Sequence, residues 1–504
     1  MSKKSKKITL GIGLGYGLTD AMGGGAFTII GAFLLFFYIT FAGLSPIEAA
    51  SIIAIARLVD AIFSLSIGSI TDNFYKTKLG QMFGRRRFFL LIGIPLMAVY
   101  ATLWVTGMGY WYYLISYLLF EMIAAMILIP YETLPSEMTK DFNERTVLST
   151  GRMFISATST FFATFVPGQL IKHFGQNNPY AYFFNGCIFA VVYAICIFIT
   201  YKVTWEREPS PEMEKELLIK THEHKSFSQH LETVVHIFND YISTFKIRSF
   251  RKHLAIYILS FTAKDVFNAT FLFFCVYDLK VTASLAANLL SLSIVGIPMT
   301  IIAGFLMIKI GPSNLFKIAY STMIVCLLGF YAVYILDPGS KIVILFVISI
   351  VYQIGVCILI FTPWNVFPFI PDVDEMVFRK RREGLFAAVM TFTRKSSVAI
   401  ATLIVGLILQ YGGFVKGQAV QTPQVNQTIA YTMVIGSIVL LAMALLITFT
   451  FKLNKKTHII LTKEIERLKN NGSKLEVDPK TKEVVEDLTG YKYEDCWQEV
   501  SINK

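Results

Sequence analysis

Twelve stretches of this chain stay apolar for long enough to cross a bilayer, and no other feature restricts its fold as strongly. A spanning helix needs about 20 mostly apolar residues. Such runs lie near 9–40, 46–71, 88–107, 110–134, 149–171 and 179–203, and again near 252–277, 282–309, 314–336, 341–366, 385–411 and 428–451. Backbone amides in lipid must be satisfied within their own segment, so runs of this length are read as helices. The expectation is an all-α membrane protein with twelve transmembrane helices in two six-helix bundles. Its domains then fall at 1–203 (first bundle), 204–251 (linker), 252–452 (second bundle) and 453–504 (tail). Composition agrees, because only 16% of the 504 residues are charged, against roughly 25% in a soluble domain. The opening MSKKSKK looks like the basic head of a signal peptide. No small-residue cleavage site follows and the apolar run is too long, so it is read as an uncleaved first span.

The net charge of +12 is concentrated in a few loops, which argues for topogenic charge and against nucleic acid. Lys3, Lys4, Lys6 and Lys7 precede the first span, Lys76, Lys78, Arg85, Arg86 and Arg87 follow the second, and Arg379, Lys380, Arg381 and Arg382 follow the tenth. The loops on the opposite side are nearly free of Lys and Arg. Both termini and the linker are therefore expected in the cytoplasm of a multi-pass plasma-membrane protein. In the linker, Pro209 and Pro211 break helix, and Leu231, Val234, Val235, Ile237, Phe238, Tyr241 and Ile242 form an apolar stripe within 227–250 that suits a membrane surface. The tail from Lys455 begins with a similar short helix and then turns polar. Both segments are also consistent with solvated connectors. The six cysteines, Cys187, Cys196, Cys275, Cys326, Cys357 and Cys496, lack metal spacing and are read as reduced packing residues. No Walker motif or Ser-His-Asp pattern is present, so no enzyme, cofactor or metal centre is expected. A monomer that draws on an ion gradient or only facilitates, with lipid and a small solute as its partners, is the expectation.

Charges inside the spans carry the functional argument, since each costs about 2.5–3.5 kcal/mol to insert. They are Asp20, Arg57, Asp60, Glu121, Glu132, Arg152, Lys264, Asp265, Arg394 and Lys395. This set of five acids and five bases must face one another or water. Arg57 and Asp60, three apart, can pair on one helix face. Glu121 and Glu132, eleven apart, share a face at different depths. A proton carrier needs a carboxylate tuned by burial and a nearby base, which Asp60 or either glutamate provides; a permanent salt bridge is the alternative for Arg57 and Asp60. Asp20 lies in a helix holding Gly11, Gly13, Gly15, Gly17, Gly23, Gly24 and Gly25, residues that permit close packing or a hinge. A carboxylate there can accept bonds from vicinal sugar hydroxyls. Trp364 and Tyr131, at span ends, suit stacking on a sugar ring or an interfacial position equally well.

The halves echo each other. Pro130-Tyr131 ends span four and Pro363-Trp364 ends span ten, and each following helix brings in bases, Arg152 in one case and Arg394 with Lys395 in the other. Together with Gly84-Arg85-Arg86-Arg87, the segment from Pro130 through Asn143-Glu144-Arg145-Thr146, and Arg381-Arg382-Glu383-Gly384-Leu385-Phe386, this pattern resembles the glycoside–pentoside–hexuronide:cation symporters of the major facilitator superfamily. The resemblance spans all twelve runs and implies alternating-access sugar import by cation symport. It matches Asp20 and Arg152 to residues at the sugar, Lys395 to a lysine near the coupling region and Trp364 to a nearby tryptophan; Asp20, Arg152 and Lys395 are the candidates for sugar contact, with Trp364, Tyr131 and Glu132 beside them. Asp60 falls at the cation site, with Arg57 and Glu121 near it. The departures are informative: Ser64 stands where the family has a second aspartate, Phe63 for an asparagine, Ala125 for a threonine of the sodium site, and Leu128 for a sugar-binding aspartate. A hard cation wants several oxygens, so coupling to protons rather than sodium is expected. The Pro130–Arg152 segment resembles the branch that moves uronide oligosaccharides, and Arg152, Lys264, Arg394 and Lys395 suggest a carboxylate clamp; a neutral glycoside is the competing substrate. Two rival classes are a sugar sensor signalling through its tail and a membrane-bound glycan or lipid enzyme.

Overall fold

A computed structural model describes residues 7–139, 141–206, 242–379, 382–418 and 420–497. All regular structure in it is helical. The first half comprises α1 (Leu10–Thr40), α2 (Pro46–Asn73), α3 (Arg87–Leu96), α4 (Tyr110–Met138), α5 (Phe142–Phe174) and α6 (Tyr180–Val203). The second comprises α7 (Arg248–Asp278), α8 (Ala283–Ile310), α9 (Pro312–Leu336), α10 (Lys341–Phe378), α11 (Glu383–Tyr411) and α12 (Pro423–Phe449). Ten of these twelve are long and apolar enough to cross a membrane. The other two, α2 and α3, are helical where spans were expected. At 28 residues α2 is about 42 Å long but carries Glu48, Arg57, Asp60 and Asp72. Pro95 lies near the end of α3, and the chain resumes as a separate turn at Val99–Thr102, because proline removes an amide donor and crowds the preceding turn.

Several expected boundaries are corrected. Pro130 and Pro135 lie inside α4, and Pro363 lies inside α10, so neither proline-aromatic pair ends its helix. α10 runs on through Ile370–Phe378, where a charged loop was expected. α5 begins at Phe142 rather than near 149, leaving almost no loop after α4. Most of the expected linker helix, residues 227–241, lies outside the described residues, and Arg248–Phe250 form the first turn of α7.

Glycine sets the packing of α1. A Cβ at Gly13 would lie 2.9 Å from Val147, one at Gly17 would lie 2.6 Å from the Gly151 carbonyl, and one at Gly24 would lie 2.5 Å from Ser156 Oγ. The glycine-rich stretch is thus a face for close approach of α5. α1 is also interrupted at Leu18–Thr19, where Thr200 Oγ1 accepts from the Thr19 amide at 3.2 Å and donates to the Gly15 carbonyl at 2.9 Å. A side chain inserted in the helix ladder in this way kinks it.

The halves meet along three contacts, α2 with α11, α5 with α8, and α1 with α7. They are tightest at one end. There Gly406 is packed against Ala50 and the Pro46 carbonyl, Ser284 Oγ donates to the Gly168 carbonyl at 2.7 Å, Phe36 meets Phe273 at 5.1 Å, and Lys416 Nζ donates to the Gly43 carbonyl at 2.6 Å. Toward the opposite end, Met153 and Phe154 of α5 and Ile301 and Phe305 of α8 stand exposed.

The basic loops also have a packing role. The Glu206 carboxylate accepts the amides of Arg85, Arg86 and Arg87 at 2.9, 2.9 and 2.6 Å, while the side chains of Arg85 and Arg86 reach Glu137. In the second half Arg382 grips Asp374 through two bonds of 2.8 and 2.6 Å.

The tail is a folded cap on the second half rather than a free connector. Its helices α13 (Lys455–Lys469) and α14 (Pro479–Thr489) bury Leu461, Ile465, Leu468, Val485 and Leu488 together with Cys496. His458 meets Asp372 at 2.7 Å, Lys469 meets Glu375 at 2.6 Å, and the Trp497 amide donates to the Met376 carbonyl at 2.9 Å. Glu464 lies between Arg467 and the Tyr493 hydroxyl. Burial pushes its carboxyl up, but those hydrogen bonds outweigh it and hold Glu464 below its ordinary 4.5. A depressed carboxylate stabilises the fold above its unfolded pKa, and that contribution is lost as pH falls through the folded value. Protease cleavage of the tail in detergent should therefore rise as pH drops below about 4.5, and Glu464→Gln should flatten that rise. A pH-independent cleavage rate in the wild type would contradict this.

Candidate functional site

The ten embedded charges sort into three stations. The first joins α1, α4 and α5. Arg152 Nε lies 3.2 Å from Asp20 Oδ1, and its Nη2 lies 2.7 Å from Glu132 Oε1. The interruption of α1 makes Asp20 the first residue of a new helical segment, where a negative charge is favoured. The close approach permitted by Gly17 and Gly151 brings Asp20 within reach of Arg152. Tyr131 lies underneath, fully buried, stacked on Tyr16 at 4.7 Å with the Arg152 guanidinium 5.6 Å from its ring centre. One face of Tyr131 is thus covered by Tyr16, and its position is that of a support for Arg152. Glu132 is half exposed.

The second station corrects the expected pairing on α2. Arg57 does not close on Asp60. Its Nε lies 3.2 Å from Glu121 Oε1 on α4, and its guanidinium stands 4.8 Å from the Phe27 ring centre. Glu121 is 1% exposed and neither of its oxygens has a hydrogen bond among the described residues. Asp60 pairs instead across the two halves: Lys395 Nζ on α11 lies 2.7 Å from Asp60 Oδ2. Ser64 completes the triangle, donating to Asp60 Oδ1 at 3.1 Å and contacting Lys395 Nζ at 2.7 Å. Lys395, a candidate for sugar contact that the resemblance sets near the coupling region, sits with Asp60.

The third station is in the second half. Arg394 and Asp265 form a bidentate pair at 2.6 and 2.9 Å, and both Arg394 and Lys264 lie over the Phe261 ring. Lys264 has no ion pair among the described residues. The expected four-base clamp is therefore reduced, because Arg152, Arg394 and Lys395 each hold an acid of this chain. Trp364 is 45% exposed and edges onto Tyr257 of α7 at 5.9 Å. Helical spacing on one element could not show the Arg57–Glu121 pair, and nothing short of the fold joins positions 60 and 395. Ser64 was legible only as a departure from a pattern.

Residues 15–455 match the family model described as MFS/sugar transport protein. The chain belongs to that family. The resemblance to glycoside–pentoside–hexuronide symporters seen in the loop motifs agrees with this match, and this symporter is accordingly a multi-pass secondary transporter and not an enzyme. Among curated relatives it is 24% identical to the isoprimeverose transporter of Lactiplantibacillus pentosus, covering 82% of each chain. It is 23% identical to the glucuronide carrier protein homolog of Escherichia coli, covering 90% of this chain and 95% of that one. Among solved structures, the xylose transporter of Escherichia coli in its inward-open conformation aligns with a TM-score of 0.58 at 13% identity, over 92% of this chain and 99% of that one. That likeness shows the fold alone.

Proposed function

We propose that the symporter imports a glycoside or oligosaccharide bearing a uronic acid, driven by protons, through alternating access of two six-helix bundles whose termini face the cytoplasm. The observation that carries the proton assignment is the Asp60–Lys395 pair. An ammonium group 2.7 Å from the carboxylate stands where a metal cation would have to bind, and Ser64 adds only one oxygen in place of a second carboxylate. A proton needs no cage. Protonating Asp60 removes its charge, releases Lys395 and unlinks α2 from α11, so the same event that loads the ion frees the halves to rock.

In this reading Asp20, Arg152 and Glu132 bind the sugar hydroxyls. Glu132 and Asp20 share one arginine, which leaves the first station with an excess negative charge, while Lys264 leaves the third station with an excess positive one. A substrate with hydroxyls at one end and a carboxylate at the other suits that polarity, and the name of the glucuronide carrier homolog supports it. Truncating a hydrogen-bonded charge partner costs about 1.5–3 kcal/mol. Lys264→Gln should thus lower uptake of a uronide disaccharide by about tenfold or more and spare a neutral disaccharide, as measured by competition in liposomes. Equal loss of both substrates would count against the acidic assignment. A sensor that signals through the folded tail without transporting predicts no uptake in the same liposomes.

A further inference from the structure

Outside the three stations, a groove of about 1200 Å³ opens between the end of α8, the start of α9, residues 361–369 of α10 and the start of the tail. Its two ends differ in chemistry. The wall along α8 presents Ile301, Phe305 and Ile308, all exposed, with Phe361 of α10 behind them. At the other end stand Lys309, Lys455 and Lys456. None of these lysines has an ion pair among the described residues, and Asp372 of α10 is held by His458 at 2.7 Å. The lysines lie where α8 ends and just past the end of α12, at the level where apolar helix gives way to polar chain.

We propose that this groove is a binding site for one anionic phospholipid of the surrounding bilayer, with its phosphate among Lys309, Lys455 and Lys456 and an acyl chain along Ile301, Phe305 and Ile308. Charge complementarity selects the head, since three ammonium groups with no ion pair among the described residues favour an anion over a zwitterion. The apolar wall selects the tail: from Ile301 to Lys309 the helix rises about 12 Å, a surface that a sugar or a free phosphate leaves uncovered. The lipid would also tie the end of α8 to α13. This inference stands independently of the sugar and proton assignments.

The test uses full-length protein, delipidated in detergent and then offered phosphatidylglycerol and phosphatidylcholine, with bound lipid counted by native mass spectrometry. The wild type should retain phosphatidylglycerol in preference. Removing the lysines as Lys309→Ala, Lys455→Ala and Lys456→Ala should weaken that retention by about fivefold each, while the matching arginine variants keep it. Gly304→Leu fills the wall without touching a lysine, since a Cβ there meets only Phe361, at 3.7 Å; it should reduce retention while leaving the melting temperature of the protein unchanged. Equal retention of the two lipids by the wild type, or undiminished retention in the triple alanine variant, would overturn the proposal. Displacement of the lipid by millimolar glycerol phosphate, with Gly304→Leu having no effect, would also overturn it in favour of a phosphate site.

Discussion

Asp60→Asn protein in liposomes should equilibrate sugar across the membrane yet fail to accumulate it against a gradient, whatever proton gradient is imposed. Asparagine keeps the size and one hydrogen-bond acceptor for Ser64 and Lys395, but it cannot take up a proton. The pair it replaces joins α2 to α11 across the two halves. A coupling ion acts only through its differential affinity for the two states, and a carboxylate that is paired in one state and protonated in the other supplies that difference. The variant also strands the Lys395 ammonium, and breaking a buried pair costs about 3–5 kcal/mol; Lys395 is 25% exposed at its side chain, so the cost here is smaller. Asp60→Asn combined with Lys395→Gln removes both charges and guards against a folding defect. It too should equilibrate without accumulating. Normal proton-driven accumulation by Asp60→Asn, together with its loss in Glu121→Gln, would move the proton to the Arg57–Glu121 pair.

Gly151→Val should abolish high-affinity sugar binding through a residue with no functional group. A Cβ on Gly151 would run into the Gly13 carbonyl and the Leu14 amide of α1, and a Cβ on Gly17 would meet the Gly151 carbonyl at 2.6 Å. The helix backbones must separate to admit the side chain. Overpacking of this kind costs about 1–3 kcal/mol of stability, and in a membrane there is no easier face for α1 to use. The separation also draws Asp20 away from Arg152, whose present distance is 3.2 Å. Binding measured by isothermal titration should be lost at sugar concentrations that saturate the wild type, while the protein remains a folded monodisperse species in detergent. Undiminished affinity would show that close α1–α5 packing does not position the first station.

The helical architecture was readable from apolar run length because lipid allows few alternatives to a satisfied helix. The places where it misled have local causes. Pro130 and Pro363 ordinarily signal a helix end, but neighbouring helices can satisfy the groups that proline frees in a membrane bundle. The candidate set of embedded charges was readable too, since each is costly enough to demand a reason. Its pairing was not. Arg57 and Asp60 satisfy the spacing rule within α2, yet Arg57 turns to Glu121 and Asp60 to Lys395, because partners on facing helices offer better geometry than a neighbour one turn away. The tail was hidden for another reason. Its apolar residues are few, and only the surface of α7 and α10 turns them into a core.

The claim on which the rest depends is that sugar and protons move together. It is tested most directly by enclosing a pH-sensitive dye in liposomes holding the symporter, with no ion gradient, and adding a uronide disaccharide outside. Acidification of the lumen is expected on sugar addition, unchanged when sodium is replaced by choline and absent in Asp60→Asn. Sugar entry with no change in lumen pH, and dependent on sodium, would contradict it.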